Sequence, residues 1–363
     1  TVNVAGASTY TESLTISKSL SLLGSPTTAS SLPAPNGSNS VPYAADQPGA
    51  NAGAPIIQQN GSTAITIKST TGPSASNPVN VSIIGFEIRG DDKGAIKADI
   101  GNSGIFTGSS LLIANNTIKG SVSGGSPPVQ VDIARFETVK VLFNLFPNAT
   151  SKVVKIIDAK DVEFDRNAIL GADRAPGSSD IAVELVNITN SVDFSANIIE
   201  GNHSPSAPGQ TGLATGLVLH QDGSVSSTVN VYIFNNYLSG LGGDAVRFED
   251  GSYNAYVAQN FIGNGVRTDL LAGETGSVIP GYVKPGIQLA TNEGSGVFIT
   301  SNAGGTFFVK ENFLAGNATG PGAPFNFKVE WSASPSHAKT IDEGFNWYGV
   351  SPPVSGTDYS IQV

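Results

Sequence analysis

The nearest approach to a reactive grouping in this chain is His220 with Asp222, followed by Asp244, Arg247, Glu249 and Asp250. An imidazole beside a carboxylate, with a guanidinium at hand, is a set that can take and return a proton. The same residues can equally form a solvated ion-pair ladder worth about 0–1 kcal/mol per pair, and Lys155 with Glu184 is the plainer example of that. Asp91 and Asp92 follow Gly90 and can be read as calcium ligands, although adjacent strand-end carboxylates point different ways and commonly just solvate a turn. Tyr253 and Tyr256 are candidates for stacking on sugar rings. Neither His203 nor His337 lies in a ligand-spaced pair, so zinc is not expected.

His220 and Glu249 can meet only if the chain between them makes one coil and returns. A repeated phrase says that it does. Apolar-x-apolar-x-x-Asn-x-apolar recurs around Asn116, Asn144, Asn167, Asn197, Asn236, Asn260 and Asn312. The spacing is irregular, but its shorter steps (144 to 167, 23 residues; 167 to 197, 30 residues) lie in the range of solenoids and β-helices. Apolar residues two apart put two side chains on one face of a short strand, and Asn tolerates the left-handed backbone of a sharp corner. The phrase therefore predicts strand, corner, strand, with each Asn stacked on the one before in a buried amide ladder. Upstream, Phe86 stands where Asn would be.

Between these phrases lies a second apolar half-coil. It is read at Val129 and Val131, Val154 and Ile156, Val183 and Leu185, Leu217 and Leu219, Val246 and Phe248, and Ile287 and Leu289. Each repeat then holds three short strands, and roughly ten coils at about 4.8 Å each predict a rod on the order of 50 Å long. In this reading the outward positions of the half-coil are Gln130, Lys155, Glu184, Val218, Arg247 and Gln288. The next outward column is Asp132, Ile157, Val186, His220, Glu249 and Ala290. Neither column clusters carboxylates.

The opening segment from Thr9 to Gly24 (TYTESLTISKSLSLLG) resembles the first coil of pectin lyase-like right-handed parallel β-helix proteins. The closing phrase from Phe345 to Gly349 (FNWYG) is similar to the Asn-Trp-Trp-Gly phrase often found in their last coils. The resemblance spans nearly the whole chain and implies an all-β, right-handed, single-stranded parallel β-helix with an asparagine ladder. These phrases are architectural and are shared by lyases, hydrolases, epimerases, tailspikes and non-enzymatic surface proteins, so the fold does not select among functions. The resemblance implies that an enzyme of this kind would work on the outer face of one sheet, with Asp or Glu clusters holding calcium and Arg or Lys abstracting a proton, or with several close Asp residues in the hydrolases. This chain shows no such Asp cluster and no Gly-His-Gly phrase.

The 363 residues are read as one domain, 1–363, because a solenoid has no separate cores. Residues 25–60, rich in Pro, Ser, Asn and Gly, read as a long loop, with shorter excursions at 201–212, 267–285 and 333–339; 325–363 reads as a terminal coil and C-terminal segment. A net charge of −10 with only 19 basic residues argues against nucleic acid. No run of 18 apolar residues and no signal peptide is visible, and a chain that starts at Thr1 without any Met reads as a mature or excised segment. The absence of Cys removes disulfide and thiol chemistry and fits a secreted protein held by stacking. Eight Asn-x-Ser/Thr sequons, such as those at Asn36, Asn80 and Asn187, are nearly what chance predicts in this composition. The expectation is an extracellular or cell-surface structural or adhesive rod, with copies of itself or surface glycans as partners and no cofactor beyond calcium. The alternative is a secreted polysaccharide lyase, glycoside hydrolase or epimerase.

Overall fold

A strand of three to six residues with alternating apolar side chains cannot shield its apolar face alone, and this chain shields it by winding. The computed structural model describes residues 1–4, 6, 8–24, 54–59, 61–69, 78–90, 93–101, 104–120, 129–149, 152–171, 180–201, 213, 215–223, 227–263, 294–315, 326–331, 337–346 and 359–362. Over these, 32 strands from β1 (Val2–Val4) to β32 (Tyr359–Gln362) form three sheets of 11, 10 and 11 strands. Every pairing is parallel, and each strand pairs with the strand three further along the chain until the last coil, where β30 (Phe327–Glu330) pairs with β32. The chain visits the first, second and third sheets in turn, which is a parallel β-helix of ten to eleven coils. Among the described residues no helix is long and apolar enough to cross a membrane.

The inward columns are in register over nearly the whole length. In the third sheet Val131 and Ile133 lie opposite Val154 and Ile156, then Val183 and Leu185, Leu217 and Leu219, and Val246 and Phe248. All are at most 2% exposed and belong to one continuous core that runs from Ile16 to Val329. Each such side chain withdrawn from water contributes about 1.5–3 kcal/mol, so the rod's stability is spread along its axis.

The corner between the first and second sheets carries the asparagines, but in a different role from the one expected. The left-handed residue is the one before each Asn: Asn115, Phe143, Arg166, Ala196, Asn235, Gln259, Glu311 and Phe345, with φ between 52° and 58°. That conformation costs roughly 1–2 kcal/mol for a residue with a Cβ. The Asn side chain holds it in place: Asn144 Nδ2 donates to the carbonyl of Leu142, two residues back, and so clamps Phe143 between them. Asn167, Asn236, Asn260 and Asn312 do the same to the carbonyls of Asp165, Phe234, Ala258 and Lys310. Where Phe86 replaces Asn, the left-handed position is Gly85 (φ 85°), which needs no clamp.

The ladder is axial as well as local. Asn144 donates from its backbone N–H (2.9 Å) and from Nδ2 (3.0 Å) to Asn167 Oδ1 in the next coil, and from Nδ2 to the Ile113 carbonyl in the coil before (2.9 Å). The pattern repeats through Asn197, Asn236, Asn260 and Asn312. It reaches back to the Phe86 N–H, which donates to Asn116 Oδ1, and forward to an eighth asparagine, Asn346. There Glu343 Oε1 accepts from Asn346 Nδ2 at 3.2 Å in the place of a further amide oxygen.

Three details of the sequence reading are corrected. The proposed loop 25–60 ends earlier, because Ile56–Gln59 is β5, paired to β2 (Thr9–Tyr10) and β8 (Glu87–Gly90). In the coil before Lys155 the inward pair is Val131 and Ile133, so Asp132 rather than Gln130 stands outward next to Lys155, and Gln130 is buried. The strand facing Val246 and Phe248 is β27 (Val297–Ile299), whereas Ile287, Gln288, Leu289 and Ala290 lie outside the described residues.

Asn144→Ala should strand the Asn116 N–H, which donates to Asn144 Oδ1, and take away the Nδ2 bonds to the Ile113 and Leu142 carbonyls, the latter keeping only the Asn115 N–H, and so lower stability by about 3 kcal/mol. Asn230→Ala on the outer face should stay within about 0.5 kcal/mol. Adding Phe143→Gly to Asn144→Ala should restore roughly 1 kcal/mol, as glycine takes the left-handed corner unaided. Urea midpoints compared at unchanged slope test all three.

Candidate functional site

Two outer surfaces gather side chains with chemistry, one on the third sheet and one on the first. On the third, β18 (Ile181–Val186), β21 (Thr215–His220), β24 (Val246–Phe248), β27 and β30 stack Glu184, Val218, Arg247, Phe298 and Lys328 in one outward column. Upstream the same column continues as Lys97, Asp132 and Lys155, so charge alternates along the axis as far as Glu184. Glu184 receives both Lys152 (2.8 Å) and Lys155 (3.5 Å). Burial pushes the Asp132 carboxyl up, and the cations of Lys97 and Lys155 offset this only in part.

One step further along the strands the structure brings together five of the six residues singled out for acid–base chemistry, all but Asp222. His220 Nδ1 lies 3.4 Å from Glu249 Oε2 and 3.7 Å from Asp250 Oδ2. Arg247 Nε lies 3.1 Å from Glu249 Oε1, off the line of its N–H, so the contact is electrostatic rather than a hydrogen bond. Arg247 also reaches Asp244 at 4.0 Å. Asp244 Oδ1 accepts the Ser295 backbone N–H at 2.7 Å, and burial pushes its carboxyl up against that bond and the pull of Arg247 and Lys328. Asp222 is turned to another duty, sharing Asn187 with Asp158 at the corner that leads to the first sheet. Phe298 sits between two cations, with Arg247 5.6 Å and Lys328 4.5 Å from its ring centre. Lys328 in turn pairs with Glu330 at 2.9 Å.

Chemically this is a neutralised network on an open sheet face. Glu249 is shared between His220 and Arg247, so a proton can pass between imidazole and carboxylate once their 3.4 Å gap closes. Among the described residues no three His, Asp or Glu side chains converge as metal ligands would. Asp91 and Asp92 lie outside the described residues, as does His203.

On the first sheet, β19 (Ser191–Ser195), β22 (Val229–Phe234), β25 (Gly251–Ala258), β28 (Ala303–Lys310) and β31 (Lys339–Gly344) place Asp193, Tyr232, Tyr256, Phe308 and Asp342 in one outward column. Tyr256 stacks on Tyr232 (5.6 Å between ring centres, 12°) and on Phe308 (4.6 Å, 11°). Tyr253 does not join them. It is 2% exposed, packs inward on Phe248 and Phe307, and donates its hydroxyl to the Asp250 carbonyl, so the sugar contact expected there is withdrawn. The reason is parity: Tyr253 shares the inward side of β25 with Ala255 and Val257. Tyr232 is the residue that the sequence reading passed over, although the same alternation places it one coil before Tyr256.

Comparison of the chain with protein-family models, with curated proteins and with solved structures gives no match.

Asp244 supplies a pH test. A carboxyl raised by burial favours the fold while protonated and loses that contribution as pH rises through its folded pKa. Asp244→Asn keeps the acceptor for Ser295 and removes the charge, so it should stabilise the protein at neutral pH. The advantage should shrink as pH falls through the raised pKa toward the ordinary Asp range, which thermal melts across pH 3–7 would show as converging transition temperatures.

Proposed function

We propose that this chain is a stiff β-helical rod displayed outside the cell, structural or adhesive in role, which works by associating with copies of itself or by binding glycans. The observation that carries this reading is the unbroken amide ladder from Asn116 to Asn346. It ties each coil to the next through buried hydrogen bonds over one continuous core, and it makes the molecule resistant to bending as well as to unfolding. The described outer faces add two surfaces: a charge-neutralised third sheet and an aromatic column on the first. The terminal phrases that resemble pectin lyase-like β-helices are equally at home in surface proteins of that architecture.

A second reading, cleavage or epimerisation of a polysaccharide on the third sheet, is favoured by one observation, the convergence of His220, Glu249, Arg247 and Asp244. The two separate cleanly. Negative-stain electron microscopy at rising concentration, with pull-down on insoluble polysaccharides, should show rods that associate laterally or end to end, or that sediment with a glycan. Dispersed single particles with no glycan retention would count against the rod. New reducing ends or unsaturated uronate products, abolished by His220→Ala, would replace it with the enzyme.

A further inference from the structure

The aromatic column of the first sheet is not closed at both ends. Phe308 ends against Lys310, whose Nζ lies 5.7 Å from its ring centre and pairs with Asp342. Tyr232 ends differently. One face is covered by Tyr256, Phe234 lies beside it (6.2 Å, 21°), and the other face looks along the axis to the coil of Asp193, where no aromatic ring meets it among the described residues. Tyr232 is 38% exposed, which makes it the most exposed large side chain of this column. Asp193 is exposed as well, and it has no ion-pair or hydrogen-bond partner among the described residues.

We propose that the open face of Tyr232, with the Asp193 carboxylate beside it, is a binding subsite for one pyranose ring of a neutral glycan; this rests on the glycan-binding half of the reading above. The face of an aromatic ring is electronegative and the axial C–H face of a pyranose is weakly positive, so the two stack. A carboxylate one coil away, about 4.8 Å along the axis, can accept hydrogen bonds from neighbouring sugar hydroxyls, and charge makes those bonds the strong kind. Asn230 stands two residues from Tyr232 on the same face; its Oδ1 accepts from Asn254 Nδ2 at 3.3 Å, which leaves its own amide N–H groups to donate to the ligand.

The charges decide which glycan. Among the described residues the cations of this column and its neighbours are committed: Lys140, two coils before Asp193 in the same column, to Glu163 at 2.6 Å, Lys310 to Asp342, and Arg166 to Asp165 at 2.6 Å. With Asp193 uncompensated and the chain at −10 overall, a uronate or sulfated chain is repelled from this face, whereas a neutral one meets only an acceptor and a ring. The site is also preorganised. Tyr256 and Phe308 hold the Tyr232 ring in a three-membered stack, so binding freezes little side-chain freedom. Tyr256, first read as a sugar contact, is on this account the support behind Tyr232.

Native affinity electrophoresis of the full chain through gels containing glucomannan, galactomannan, xyloglucan or mixed-linkage β-glucan, with polygalacturonate as the anionic comparison, tests the proposal. At least one neutral polymer should retard the protein. Tyr232→Ala and Asp193→Ala should each weaken that retardation about tenfold or more, and Tyr232→Phe should retain it within about twofold, with all variants melting like the parent. Retardation by no neutral polymer, or equal retardation of Tyr232→Ala and the parent, overturns the subsite. Retardation by polygalacturonate alone also overturns it and moves glycan binding to another face. Filaments or rods without any retardation overturn it too, while leaving the structural reading standing.

Discussion

A buried amide that must be satisfied is the constraint on which this molecule depends. Each ladder asparagine sits at most 2% exposed over most of the rod, where an unpaired amide would cost about 1–3 kcal/mol. Its oxygen is satisfied only by donors in the coil before, and its nitrogen only by acceptors in its own coil and both neighbours. No asparagine can therefore keep its bonds if its coil shifts along or around the axis. The aliphatic columns supply the driving force, but they would tolerate sliding far better, since hydrophobic contact is non-directional. Directional bonds at one corner convert a greasy stack into a fixed register.

That register has consequences for the outer surface. Once the inward positions are set, every second residue is forced outward, and outward residues such as Lys140 and Glu163, 23 positions apart, or Gln259 and Glu311, 52 apart, become neighbours. The third sheet uses this to alternate charge, as in Lys97, Asp132, Lys155 and Glu184, and to assemble the His220, Arg247, Glu249 and Asp244 network. The first sheet uses it to build a stack of rings that no local segment could hold. In both cases the scaffold stays rigid while the surface residues are free to vary, which is the usual division of labour in solenoids.

The fold was legible because its signal is repetitive. Seven copies of one phrase with apolar alternation on both sides leave little choice but a coil with an asparagine corner. The left-handed residue was misplaced by one position because Asn is itself a good left-handed residue; the structure uses its side chain as a clamp on Phe143, Arg166 or Gln259 instead. The slip of two residues at Val131 arose because Val129, Val131 and Ile133 all alternate, and alternation alone does not say where an inward pair begins. Tyr253 was read as a sugar contact, although parity with Ala255 and Val257 turns it in. His220 and Glu249 were expected to meet because both follow the same inward pair in successive coils, and they do.

By itself the sequence determined the class of architecture, the ladder residues and the parity of most strands, because these depend on spacing within a single coil. The tertiary structure decided which coil lies on which across insertions as long as that between Asn260 and Asn312, and hence which distant side chains touch. It also decided that Glu343 accepts from the last described ladder asparagine, and that among the described residues no ring covers the second face of Tyr232 and no partner reaches Asp193 beside it. Axial neighbours are fixed by hydrogen bonds between coils, and no pattern inside one coil records the length of the loop that separates it from the next.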